Sequence, residues 1–148
     1  MSNIVTYPLR LVTQGGIIMQ EQGLLIVDED IECRTQMADM FIKDGYRVTA
    51  TNSIAGALYD ILKKTAQVVL LGTKFEEFTA ADIIPLLKQC NRKLPIIVVS
   101  ANVSLPQVRK LRSEGIFYHA LKPTDVEDRE EIRQAVHCAF KNLRLRTV

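Results

Sequence analysis

The sequence predicts one doubly wound α/β sandwich, a five-stranded parallel sheet with flanking helices on both faces. Five short apolar runs alternate with segments whose apolar residues recur at helical spacing. Strand followed by helix, repeated in this way, means parallel pairing through right-handed crossovers. A length of 148 residues is one domain's worth. It is enough to bury a core without disulfide or metal.

Leu24–Val27 is the first strand, and it runs into the acidic cluster Asp28-Glu29-Asp30. The helix after it, from Ile31 to Asp44, sets Cys33, Met37, Met40 and Phe41 on one face. Gly45 closes that helix where a glycine just past the last turn belongs. Arg47–Thr51 is the second strand, and Ser53 caps a helix whose Ile54, Leu58, Ile61 and Leu62 share a face. Gln67–Leu71 is apolar almost throughout, as a strand covered on both sides is. Thr79 begins a helix with Ile83, Leu86 and Leu87 on one side, ending near Asn91. Pro95–Ser100 is the fourth strand, and the helix Leu105–Glu114 after it stops at Gly115. Phe117–Leu121 is the fifth strand. Ile132, Ala135, Val136, Ala139, Phe140 and Leu143 then mark the most regular amphipathic helix, Glu127–Leu143.

Residues 1–22 stand outside this alternation, and the domain proper is residues 23–148. Ile4–Thr13 holds a strand-like patch, followed by Gly15-Gly16 and a second methionine, Met19. Two readings stay open: an extra strand or arm, or upstream sequence read from an incorrect start. In either case a chain beginning at Met19 is expected to keep nearly full stability.

The chain is 47% hydrophobic and 24% charged, the mixture of a soluble globular protein. Its 19 basic residues against 17 acidic ones leave +2, so no strong field points to nucleic acid or anionic lipid. No apolar run is long enough to span a bilayer, and no secretion signal opens the chain. Cys33, Cys90 and Cys138 lie far apart without a CxxC, which reads as reduced thiols in the cytoplasm. No histidine and cysteine grouping has zinc spacing. Nothing but Leu145–Val148 follows the last helix, so the expectation is an intermediary and not a transcription factor.

In a parallel sheet the functional crevice lies beyond the carboxyl ends of the strands. Asp28 and Glu29 follow the first strand, Ser100-Ala101 end the fourth, and Lys122-Pro123 end the fifth. Adjacent carboxylates suit Mg²⁺, and a hydroxyl with an ammonium suits phosphoryl oxygens. The acids alone are equally explained as helix N-terminal residues, and Ser100 alone as a small residue at a strand end. The segments LLIVDE, PIIVVSA and FYHALKP, in this order, resemble the response-regulator receiver domain of two-component signalling over about Gln22 to Leu143. The resemblance implies the flavodoxin-like, CheY-like strand order. It implies that Asp28 and Glu29 are the metal-binding pair, and that Ser100, Ala101 and Lys122 line the phosphate pocket. It puts His119 at the aromatic switch position and suggests a cis bond at Lys122-Pro123. It implies partner choice through the face carrying Arg109, Arg112 and His119, although taken by themselves those arginines read first as a solvated face.

One position departs from the family. The phosphoacceptor aspartate belongs directly after Val68–Leu71, and this chain has Gly72 there. Thr73 and Lys74 follow, and Glu76 and Glu77 lie farther out on the loop. Glycine offers neither a nucleophile nor a metal ligand. The expectation is therefore a pseudo-receiver: a single-domain, non-enzymatic signalling adaptor with no cofactor and a weak or vestigial magnesium site. Lys122 is then expected to pair with Asp28 or Glu29. Partners are expected to be proteins, a histidine kinase or a signalling complex among them, with no nucleic acid or membrane. Two alternatives stay open. One is a receiver phosphorylated on Glu76, Glu77 or Asp30. The other is a small flavodoxin-like enzyme or nucleotide binder, which would lack a glycine-rich loop after its first strand.

Overall fold

Apolar runs become strands wherever helices cover both of their faces. The computed structural model describes residues 5–6, 13–14, 17–18, 22–101 and 103–146. Three two-residue strands come first: β1 (Val5–Thr6), β2 (Thr13–Gln14) and β3 (Ile17–Ile18). The alternating part follows as β4 (Gly23–Val27), α1 (Ile31–Lys43), β5 (Arg47–Thr51), α2 (Ile54–Leu62) and β6 (Val68–Gly72). It continues with α3 (Ala80–Cys90), β7 (Ile96–Ser100), α4 (Leu105–Ser113), β8 (Tyr118–Leu121) and α5 (Val126–Arg146).

The sheet order is β1-β5-β4-β6-β7-β8, with β4 to β8 parallel. This is the expected five-stranded doubly wound sheet with a sixth strand on its edge. Val5 and Thr6 pair antiparallel with Ala50 and Thr49, so β1 covers the free edge of β5. The pairing of Thr13 with Ile18 and Gln14 with Ile17 makes β2 and β3 a separate two-stranded sheet.

Alternation along each strand divides the core. Leu24, Ile26, Val48, Leu70, Ile97 and Val99 meet Met37, Phe41, Val136 and Phe140 beneath α1 and α5. Leu25, Val27, Val69, Leu71, Ile96 and Val98 meet Ile61, Ile83, Ile84, Leu87 and Leu111 beneath α2, α3 and α4. Helix starts are set by side chains. Ser53 accepts from the Gly56 amide, and capping boxes close at Thr79 with Asp82 and at Ser104 with Gln107. Gly45 and Gly115 sit just past α1 and α4 at φ +95° and +82°, where a side chain would be strained. Strand and helix ends differ from the expected ones by one to three residues, with Gly72 inside β6 and α5 running on to Arg146.

Candidate functional site

Strand β4 is the first of the parallel strands, and the chain then adds β5 on one side of it and β6 on the other. That reversal opens the crevice at the carboxyl ends of β4 and β6. Asp28, Gly72, Ser100 and Lys122 end or follow their strands there, as the sequence anticipates.

Asp28 is 2% exposed. Its amide donates to the Thr51 carbonyl at 3.1 Å, and its carbonyl accepts from Arg34 Nη1 at 2.7 Å. Oδ1 accepts from the Asp30 amide at 2.9 Å, whereas Oδ2 has no hydrogen-bond partner. Burial pushes the carboxyl above its ordinary range, against the lowering effects of the Asp30 amide and of Lys122. The reason for the burial lies opposite. A Cβ placed on Gly72 would come within 2.6 Å of Asp28 Cγ and 2.8 Å of both carboxylate oxygens. The Asp28 carboxylate occupies the space that a side chain at position 72 would need.

The other acids have turned elsewhere. Glu29 accepts from the Glu76 amide through both oxygens, at 3.1 and 3.2 Å. Asp30 caps α1 through Oδ1, accepting from the Glu32 and Cys33 amides at 3.0 and 3.3 Å. Its Oδ2 accepts from Lys122 Nζ at 2.9 Å. This corrects the expectation that Lys122 pairs with Asp28 or Glu29. Asp30 is 43% exposed in its side chain, so the ammonium pairs with it while staying near water. Pairing with Asp28 would have stripped both charges of water. The bond to Lys122 holds the Asp30 carboxyl below its ordinary range and lifts Lys122 above its own.

Ser100 is fully buried, and its hydroxyl shares a 2.6 Å hydrogen bond with His119 Nε2. The register explains the contact: Val98 pairs with His119, so Ser100 presents its side chain to the same face of the sheet. Burial, and then the nearby Arg112 charge, lower the His119 pKa, while Glu131 acts against them. Ala101 is exposed at the bend after β7. The described residues contain no cis peptide, so the bond between Lys122 and Pro123 is trans, contrary to what the resemblance suggests. Trans is the ordinary preference before proline. The chain beyond is turned by Asp128, which accepts from the Thr124 hydroxyl at 2.8 Å.

Arg109 and Arg112 are exposed on α4, and His119 is half-buried on β8 between α4 and α5. Leu105, Tyr118 and Leu121 are exposed on the same elements. Sequence reasoning missed Arg34, a basic helix residue whose side chain is buried and holds the end of β4. Its signal was phase: Arg34 precedes Met37, Ala38 and Phe41 at the spacing of the buried face.

The residues present do not fit a magnesium ion. Gly72 supplies no ligand, Glu29 is turned to the loop, and Asp28 lies folded over Gly72. Among the described residues no three carboxylate, histidine or cysteine side chains converge as a metal site. Magnesium needs near-octahedral oxygen ligation that one buried carboxylate does not organise.

The model of the response regulator receiver domain matches residues 24–137. Sporulation initiation phosphotransferase F of Bacillus subtilis is 27% identical over 118 residues, which is 80% of this chain and 93% of that protein. Transcriptional regulatory protein ZraR of Klebsiella oxytoca is 24% identical over 108 residues, 73% of this chain but only 24% of that protein. A CheY-like receiver domain from Methanospirillum hungatei superposes with a TM-score of 0.71 at 18% identity, covering 83% of this chain and 99% of that one. The last likeness is one of fold.

Proposed function

The chain belongs to the response regulator receiver domain family of two-component signalling, and we propose that it acts there without phosphate, as a protein-binding adaptor. The observation that carries this reading is the Asp28 carboxylate lying over Gly72, in the space of the missing acceptor side chain. Both side chains that would receive a phosphoryl oxygen, Lys122 and Ser100, are already engaged within the chain. Asp30 holds Lys122, and His119 holds Ser100. A phosphoryl group would add roughly −1.5 to −2 charges. Here Asp30 already gives Lys122 its counter-charge.

A two-state surface shifts only if a ligand distinguishes the two states. Without an acceptor, the face made by α4, β8 and α5 keeps one arrangement, and its occupancy follows partner concentration. Arg109, Arg112 and His119, with Leu105, Tyr118 and Leu121, form the docking face for a protein partner such as a histidine kinase or its complex. Receiver modules are generally non-enzymatic, and no chemistry beyond binding is assigned to this chain. Asp30 is a poor substitute acceptor, because both of its oxygens are already bonded. No described helix is long and apolar enough to cross a membrane, and a cytoplasmic location is part of the proposal.

The test is intact-mass spectrometry after incubation with acetyl phosphate and Mg²⁺. An unchanged mass is expected. A single phosphoryl adduct on an aspartyl or glutamyl side chain overturns the reading.

A further inference from the structure

Helix α2 reads IAGALYDIL, with one charged side chain, Asp60, in nine residues. A helix that is apolar around its circumference belongs in an interior. Yet α2 buries only one side, through Ala57 and Ile61, while Tyr59 and Leu62 on the other are 57% and 62% exposed. Helix α3 lies beside it and continues the surface with Leu86, 40% exposed. One turn on from Leu86, Cys90 faces Leu62 across a cleft of about 350 Å³ at the start of β6. Ile61, Ala66 and Leu143 complete the apolar lining of that cleft.

We propose that this α2–α3 face joins two copies of the chain in a two-fold dimer, with the two α2 helices antiparallel. A two-fold contact requires a patch that is complementary to itself. Here a knob stands beside a hole, because Tyr59 projects one turn above Leu62 and the cleft opens at Leu62. An axis crossing α2 between Ile61 and Leu62 sets the Tyr59 of each copy against the cleft of the other. The charges agree with the same axis. Asp60 and Lys63 lie within one turn on the edge of the stripe, with the Lys63 ammonium 4.8 Å from the centre of the Tyr59 ring. The antiparallel turn sets Asp60 of each copy opposite Lys63 of the other, so both pairs are of opposite sign. A rim that carries both signs favours a second copy over an anionic membrane or a partner of one charge.

The helices are nine and eleven residues long, or about 14 and 17 Å, so the face is small and the association weak. Helix α3 separates α2 from the face made by α4, β8 and α5, which therefore stays open in both copies. The inference is independent of whether the protein is phosphorylated and of what that other face binds.

Sedimentation of the full chain from about 1 µM to about 1 mM tests it. A monomer–dimer equilibrium with Kd of order 100 µM and no larger species is expected. L62Q, which changes an exposed side chain, is expected to weaken the dimer at least about tenfold. I31Q, which removes an equally exposed apolar side chain from α1, is expected to change it less than about twofold. D60K and K63D are each expected to weaken it at least about threefold, and D60K/K63D to recover to within about twofold of the parent. Circular dichroism confirms that each variant is folded. A chain that stays monomeric throughout overturns the proposal, whether or not the stripe then binds phosphatidylcholine vesicles or an apolar helical peptide. So does growth beyond the dimer, or an equal loss in I31Q, which would mark unspecific apolar association. Failure of D60K/K63D to recover while its fold is intact also overturns it, because the two charges would then not face each other.

Discussion

Position 72 shows how one absent side chain rearranges its neighbours. With glycine there, Asp28 folds into the gap and becomes buried. Gly72→Ala returns a Cβ to that space and forces the carboxylate off its bond to the Asp30 amide. Overpacking of this kind costs about 1–3 kcal/mol, to be read from urea denaturation. Because Asp28 is what the new methyl meets, Asp28→Ala combined with Gly72→Ala should cost less than the sum of the single changes. Cys33 offers a second residue-scale test. Burial, and then the Asp28 charge, push its thiol up to about 12. Cys138 is exposed and Cys90 half-buried. Titration with a disulfide reagent at pH 8 should label Cys138 first, and Cys33 only once denaturant is added.

Helix α1 draws its N-terminal cap and a tertiary tie from one residue, Asp30. Asp30→Ala removes both and should cost about 1–2 kcal/mol. Asp30→Asn keeps a capping oxygen and should cost less. The two variants also predict a pH dependence. Lys122, and then the Cys33 amide, hold the Asp30 carboxyl below its ordinary 3.8, so its stabilisation is present above that pH. It is lost as pH falls through the lower folded value. Asp28 works the other way, since its raised carboxyl stabilises the fold while protonated and loses that contribution as pH rises above 3.8. Urea midpoints between pH 2 and 7 should therefore show a smaller acid loss in Asp30→Asn than in the parent chain. At the sheet edge, β1 adds two residue pairs to β5. That pairing corrects the expectation that a chain beginning at Met19 keeps nearly full stability: deleting residues 1–18 should cost about 1–2 kcal/mol, the scale of a few backbone hydrogen bonds. The uncovered β5 edge should also make sedimentation concentration-dependent.

Across the whole molecule the pocket and the proposed docking face are linked by a side-chain hydrogen bond, Ser100 to His119. If that face has one arrangement, acetyl phosphate should leave partner affinity unchanged. Ser100→Ala should move the His119 ring resonances and alter partner affinity by less than about threefold. Charge reversal at Arg109 or Arg112 should weaken binding by about tenfold, through lost complementarity at an exposed face. A large loss of affinity in Ser100→Ala, with the fold intact by circular dichroism, would show that the pocket still governs the surface.

Much of this was legible in sequence because it depends on local patterns. Apolar runs bounded by turns and caps specify β4, β6 and β7, since burial on both sides needs apolar residues at nearly every position, while β5 and β8 follow from the strand–helix alternation. The acids, Ser100 and Lys122 fall at strand ends by the same alternation, and the absence of a nucleophile at Gly72 is a matter of composition. Which groups then bond to one another was not legible. Lys122 meets Asp30 and not its neighbours, Glu29 meets the Glu76 amide, and Ser100 meets His119. Those choices turn on differences of burial among adjacent carboxylates and on strand register, which exist only once the sheet has closed. Arg34 and the edge strand Val5–Thr6 belong with them. A buried cation and a two-residue strand have almost no local signature, and only the partners supplied by the tertiary structure, a carbonyl at the end of β4 and a free sheet edge, decide them.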